Sequence, residues 1–106
     1  MSGVLARLAA TVEARRNADP GSSHTAGLLA KGPAKCAEKF GEEAVEAIIA
    51  AAQGDREALV RECADVLYHM TVMLAAQGVT LDAVLAELER REGVSGVVEK
   101  ASRSGA

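Results

Sequence analysis

The sequence predicts an all-α fold of about five helices, organised on a central antiparallel helix hairpin. Three observations predict it. Apolar residues recur at helical spacing, as in Leu5, Leu8 and Val12, and again in Leu81, Val84, Leu85 and Leu88. Aromatic residues are scarce, with one Phe and one Tyr in 106 residues, and the abundant Ala favours closely packed helices over a sheet sandwich. Two long helical segments meet at Gln53-Gly54-Asp55, where Gly stops one helix and Asp caps the next.

The first helix is predicted over residues 4–17, and its end, Arg15-Arg16-Asn17, carries charge suited to a helix C-terminus. Asp19-Pro20-Gly21-Ser22-Ser23 reads as a loop from its Pro-Gly step and small polar residues. A short second helix follows over His24 to Lys31, carrying Leu28 and Leu29 and closed by Gly32-Pro33. The hydroxyls of Ser22, Ser23 and Thr25 serve as turn and cap groups, or bond phosphate and ribose oxygens if the loop overlies a site.

The third helix is predicted over 34–53. Phe40, Ala44, Val45, Ile48 and Ala52 form one stripe, with Lys39, Glu43 and Glu46 nearly opposite, the pattern of an ordinary amphipathic helix. The fourth helix, over 55–77, has no Gly or Pro inside and stops at Gly78. From Glu62 to Ala76 its only charged or readily titrating side chains are Glu62, Asp65 and His69, set among Cys63, Val66, Leu67, Met70, Val72, Met73 and Leu74. Such a helix is expected to be buried around most of its circumference, with Tyr68 in the core or an interface. Thr80 caps a fifth helix to residue 92. Residues 1–92 therefore form one domain, and 93–106, without periodicity, a flexible tail.

Composition narrows the function classes. A formal net charge of -3 provides no basic footprint for nucleic acid. No stretch reaches the roughly 18 apolar residues that span a bilayer. Arg7 and Glu13 interrupt the N-terminal apolar run, which suits no signal peptide. Cys36 and Cys63, both mid-helix in apolar settings, read as reduced core residues of a cytoplasmic protein.

The chemistry-bearing pattern is Glu42-Glu43-x-x-Glu46 on the third helix and Glu62-x-x-Asp65 on the fourth. Glu46 and Glu62 stand equally far from Gly54 in sequence, as do Glu43 and Asp65, so an antiparallel hairpin turning there sets them as two level rungs. Within each helix the members are three apart, on one face and about 4.5 Å apart along the axis. Helix axes about 8–10 Å apart let these side chains meet between them. Two unit charges about 4 Å apart repel by about 4 kcal/mol at an effective dielectric near 20. Four carboxylates need a counter-charge, and a hard divalent cation with oxygen ligands supplies it. Salt bridges to Lys39 or Arg61, or plain solvated charge, are the competing readings. Lys35 and Lys39 follow the same side of the third helix; they pair with neighbouring acids or hold phosphates of a metal-bound nucleotide. Asp65 and His69 lie four apart, and His69 falls at the level of Lys39.

Several segments together resemble a known family. These are Arg15-Arg16-x-x-Asp19-Pro20-x-Ser22-Ser23-x-Thr25-Ala26-x-Leu28-Leu29, Lys35-x-x-x-Lys39-x-Gly41-Glu42-Glu43-Ala44-x-Glu46, Glu62-x-x-Asp65-x-x-Tyr68-His69 and Glu99-Lys100-Ala101-Ser102-Arg103. The chain is similar to the phosphoribosyl-ATP pyrophosphohydrolase family over nearly its whole length. The carboxylates alone would indicate only the wider MazG-type all-α NTP pyrophosphohydrolases; the loop and tail motifs are the specific part. His24 departs from the pattern, in which Tyr is common. The resemblance implies a homodimer with bundles formed from two chains, a Mg²⁺ requirement, and hydrolysis of phosphoribosyl-ATP to phosphoribosyl-AMP and pyrophosphate in histidine biosynthesis. A short chain with a helix apolar nearly all round agrees with a second subunit as cover.

On this reading Glu43, Glu46, Glu62 and Asp65 are the metal ligands, and Glu42, Glu43 and Glu46 the candidates for catalytic proton transfer. Arg15, Arg16, Lys35, Lys39, Lys100 and Arg103 are the candidate phosphate-binding residues. A house-cleaning nucleoside triphosphate pyrophosphohydrolase and a non-catalytic helical dimerisation module are the alternatives. A di-iron carboxylate bundle expects Glu-x-x-His motifs that the sequence lacks.

Overall fold

The computed structural model describes residues 3–93, and its helices are α1 (Gly3–Ala14), α2 (His24–Lys31), α3 (Pro33–Gln53), α4 (Arg56–Ala76) and α5 (Leu81–Arg91). The described residues are all-α, as expected. The predicted tail with Lys100 and Arg103 lies outside them. The first helix is shorter than predicted: it ends at Ala14, and Arg15, Arg16 and Asn17 form the turn that follows. There the Arg16 guanidinium pairs with Glu13 at 2.9 Å and donates to the carbonyl of Ala75 at 2.8 Å, so it serves the last turn of α4 rather than extending α1.

The hairpin of α3 and α4 is the frame, each helix 21 residues and so about 31 Å long. Its turn is built by two residues. Gly54 takes a left-handed backbone with φ 71°, which a side chain would strain, and its N–H closes α3 on Ala50 and Ala51. Asp55 then accepts the Ala58 N–H at 3.1 Å and starts α4. Ser23 and Thr80 cap α2 and α5 in the same way, through the N–H groups of Ala26 and Ala83. Gly32, with φ 97°, ends α2 and admits Pro33 at the start of α3.

One end of the hairpin is covered and the other is bare. Val12 of α1, Leu28 of α2, Cys36 of α3, and Val72 and Ala75 of α4 form the buried cluster, with Leu8, Leu29, Tyr68, Met73 and Ala76 packed against it. The Cys36 thiol donates to the Leu28 carbonyl, which joins α3 to α2. Toward Gly54 the picture changes. From Val45 to Asp65 only Ala50 is buried, and Val45, Ile48, Ile49 and Val60 lie exposed. The stripe on α3 thus points outward, while Glu43 faces α4; the amphipathic pattern there has its apolar side uncovered. Two further expectations are corrected by the same bareness. Cys63 is exposed rather than a core residue, and α4 is not buried around its circumference within one chain, since Val60 and Leu67 are open. After Gly78 the chain bends by 108° into α5, which leaves Leu88 exposed. The radius of gyration, 15.9 Å, exceeds the roughly 13 Å of a compact domain of this length. No single described helix is long and apolar enough to cross a membrane.

Val72 is 1% exposed at the centre of the core, whereas Asp55 acts only as a cap. Val72→Ala is expected to lower unfolding free energy by about 2–3 kcal/mol and Asp55→Ala by about 1 kcal/mol, measured by urea denaturation. A smaller loss at Val72 than at Asp55 would overturn this assignment of the core.

Candidate active site

The hairpin register brings the acidic residues together. Glu43, Glu62 and Asp65 each offer a carboxylate oxygen, and these oxygens lie within 4.8 Å of one another. Glu46 joins them through hydrogen bonds with both Glu43 and Glu62. Two carboxyls can share a hydrogen bond only if one keeps a proton. Burial is the foremost cause raising the Glu43 pKa above the ordinary range, followed by the hydrogen bond with Glu46 and the charges of Glu46, Asp65 and Glu62. Glu62 is raised chiefly by its hydrogen bond with Glu46, then by desolvation and by the charges of Glu46 and Asp65; Arg61 opposes the shift.

A cation suits this set. All four side chains offer oxygen, and Oε2 of Glu62 is buried with no hydrogen-bond partner among the described residues. A buried oxygen without a partner is costly, and a hard divalent ion satisfies it while removing the mutual repulsion. The group is reached from solvent: Glu46 and Asp65 are exposed, and a depression of 270 Å³ opens beside Glu46 and Glu62.

The lysines and Glu42 flank the group. Lys39 pairs with Glu42 at 3.3 Å and Lys35 with Glu38 at 3.2 Å, both one turn along the helix. Such exposed pairs contribute little to stability and release their cations readily to a stronger anion. Lys39 also acts on His69, as its level in the hairpin requires. His69 is buried, with Nε2 3.9 Å from Oε1 of Glu43, and its pKa is lowered by burial first and then by the charges of His24 and Lys39. It therefore stands neutral near pH 7. Arg15 is exposed in the turn after α1. Arg16, held at Ala75, sits ten residues beyond Asp65 along α4, about 15 Å away along the axis. A groove of 430 Å³ beside Arg16, between α1, α4 and the start of α5, is correspondingly remote from the acids.

One constellation escaped the sequence. His24 stacks on Tyr68 with ring centroids 6.1 Å apart and meets His69 edge-on at 6.2 Å, while Tyr68 and His69 are 4.9 Å apart. The Tyr68 hydroxyl is hydrogen-bonded to Thr25. The first turn of α2 is thereby pinned to α4 at Tyr68 and His69, and His69 in turn approaches Glu43. Adjacent Tyr68-His69 was the only signal of this, and nothing in spacing placed His24 against it.

The match to known proteins covers this whole arrangement. The model of the phosphoribosyl-ATP pyrophosphohydrolase family matches residues 5–92. A phosphoribosyl-ATP pyrophosphatase of Rhodobacter capsulatus is 74% identical over 99 residues, covering 93% of this chain and 96% of the relative. Those of Cereibacter sphaeroides and Ruegeria pomeroyi are 73% and 69% identical over 100 residues, each covering 94% of this chain and 97% and 95% of the relative. With α2 to α5 and nearly all of α1 inside the matched span and the relatives covered almost end to end, the chain belongs to the phosphoribosyl-ATP pyrophosphohydrolase family.

Proposed function

We propose that this chain hydrolyses phosphoribosyl-ATP to phosphoribosyl-AMP and pyrophosphate, the second step of L-histidine biosynthesis, with Mg²⁺ held by Glu43, Glu46, Glu62 and Asp65. The observation that carries the reading is the four-carboxylate group with its unpartnered Glu62 oxygen in a chain of this family. When bound, the cation neutralises triphosphate oxygens and makes a water more acidic. Water cleaves the α–β anhydride, giving phosphoribosyl-AMP and pyrophosphate. Glu42, which lies off the two rungs and pairs with Lys39 one turn away, is the proposed acceptor of the proton from water; Glu43 and Glu46 are the other candidates. Lys35 and Lys39 meet phosphate charge that the metal does not reach. Arg15, Arg16 and, outside the described residues, Lys100 and Arg103 are proposed as further phosphate contacts.

The enzyme is proposed to work as a homodimer in the cytoplasm. Val45, Ile48, Ile49 and Val60 make an apolar surface on the bare half of the hairpin, which a second copy would cover, and two free thiols suit a reducing compartment.

Pyrophosphate release from phosphoribosyl-ATP, ATP and dUTP, each with and without Mg²⁺, is the direct test. Release from phosphoribosyl-ATP alone, and only with metal, is expected; equal release from the ordinary nucleotides would move the protein to a house-cleaning role. Glu46→Gln and Asp65→Asn are each expected to lower kcat at least about 100-fold, and full magnesium-dependent turnover by either would remove it from the ligand set.

The pKa shifts give a second test. Glu43 and Glu62 bind protons more tightly in the folded chain than in the unfolded one, so the stability tied to their protonated forms is lost as pH rises through their raised folded values. A cation replaces those protons. Mg²⁺ affinity is expected to fall from pH 8 to pH 5.5, with protons released on binding; calorimetry in buffers of different ionisation enthalpy reads both. Equal affinity with no proton release would contradict the shared-proton arrangement.

For the dimer, Ile48→Glu is expected to shift the sedimentation coefficient to that of a monomer. An unchanged dimer would place the interface elsewhere.

A further inference from the structure

A second concavity lies across the ring cluster from the acids. The Asp19–Ser23 loop and α2 enclose a pocket of 390 Å³, lined among others by Pro20, Ser22, Ser23, His24 and Lys31. No carboxylate lines it, because the Asp19 side chain is turned back onto the Gly21 N–H. Lys31 supplies its cation, and unlike Lys35 and Lys39 it makes no ion pair among the described residues. The pocket is linked to the acidic group through His24. His24 lines its wall and meets His69, and His69 in turn approaches Glu43. The order in space is therefore four acids, a band of rings, then a cationic, hydroxyl-bearing hollow.

This order matches a ligand with charge at both ends and a flat apolar middle. Phosphoribosyl-ATP is such a molecule: a triphosphate on one ribose, a purine, and a phosphate monoester on a second ribose. A nucleoside triphosphate has the first two parts and lacks the third. Resting on the substrate reading above, we propose that the pocket beside Lys31 receives the 5′-phosphate of the second ribose, with the purine along His24 and Tyr68. Lys31 and the pocket wall at His24 then determine specificity, while the carboxylate group handles the triphosphate common to all such nucleotides. The monoester is close to a dianion at neutral pH and finds no competing acid in the pocket. Ser22 and Ser23 offer hydroxyls at its rim, although both also serve the turn, through Asp19 and the Ala26 N–H.

The test removes each partner separately and then both. The substrates are phosphoribosyl-ATP and N1-ribosyl-ATP, the same molecule without its 5′-phosphate; the proteins are the full chain and its Lys31→Gln and Lys31→Arg variants, with helicity checked by circular dichroism. For the unaltered chain, deleting the 5′-phosphate is expected to lower kcat/KM roughly 10- to 100-fold, the worth of one charge-assisted hydrogen bond. Lys31→Gln is expected to lose a similar factor on phosphoribosyl-ATP, mainly in KM, and to lose discrimination between the two substrates. Lys31→Arg, which keeps the charge, is expected to retain most of the discrimination. If the losses from Lys31→Gln and from the missing phosphate simply multiply, Lys31 and the phosphate do not meet and the inference is overturned. Should Lys31→Gln fail to fold, equal kcat/KM for both substrates with the unaltered chain, or a Lys31→Arg variant indifferent to the phosphate, overturns it equally. Failure of the unaltered chain to cleave phosphoribosyl-ATP at all would instead strike the substrate reading itself.

Discussion

Repulsion among Glu43, Glu46, Glu62 and Asp65 is the constraint on which the rest of the structure turns. Like charges this close are tolerated only where a proton or a cation stands between them. In the free chain Glu46 shares hydrogen bonds with Glu43 and Glu62, which raises the pKa of each. That holding arrangement leaves Oε2 of Glu62 without a partner. A site fully satisfied by protons would have little reason to exchange them for a metal; one that leaves a buried oxygen unpaired has such a reason. The strain is local, and the turn at Gly54 and Asp55 imposes it by fixing the register of α3 against α4.

Holding that register against repulsion requires anchorage elsewhere along the hairpin. It comes at the opposite end, where Val12, Leu28, Cys36, Val72 and Ala75 interlock four helices and Arg16 ties the turn after α1 to the last turn of α4. The rings of His24, Tyr68 and His69 stand between this core and the acids. They bridge two functions: the Thr25–Tyr68 hydrogen bond and the ring contacts fasten α2 to α4, and buried His69 brings a neutral imidazole to Glu43 rather than another charge. A protonated imidazole there would compete with a bound cation for the same carboxylate, so burial of His69 favours the metal.

The hairpin and its rungs were legible because both follow from counting: a helix repeat is fixed, and Gly54 with Asp55 marks the turn without ambiguity. Caps at Asp55 and Thr80 were legible for the same local reason. The facing of α3 was not. Its stripe through Val45 and Ile48 is a sound amphipathic pattern, but a pattern states that two sides differ and not which one its own chain covers. Here the acids face α4 and the apolar side is bare. Cys63 misled for a related cause, since its apolar neighbours on α4 belong to a helix whose own chain covers it only in part. The His24–Tyr68–His69 contact needed the path of the loop after α1, which no periodicity encodes. Arg16 has the charge expected at the C-terminus of α1, but α1 ends before it and the carbonyl it meets is that of Ala75 in α4, distant in sequence.

These failures share a direction, and it bears on how the site discriminates. On the proposed reading, features set by the α3–α4 register deal with what every nucleoside triphosphate has, a chain of phosphates and a divalent ion. Features set by the long-range path of the Asp19–Ser23 loop lie where substrates differ. A loop can be reshaped without disturbing the register, because its own hydrogen bonds are short-range: Ser22 and Ser23 return to Asp19, and Ser23 caps α2. The hairpin has no such freedom, since a one-residue slip rotates a helical side chain by about 100° and would carry Glu43 and Glu46 away from Glu62 and Asp65. On that reading chemistry resides in the rigid element and recognition in the adaptable one, with the ring band at His24 lying between them.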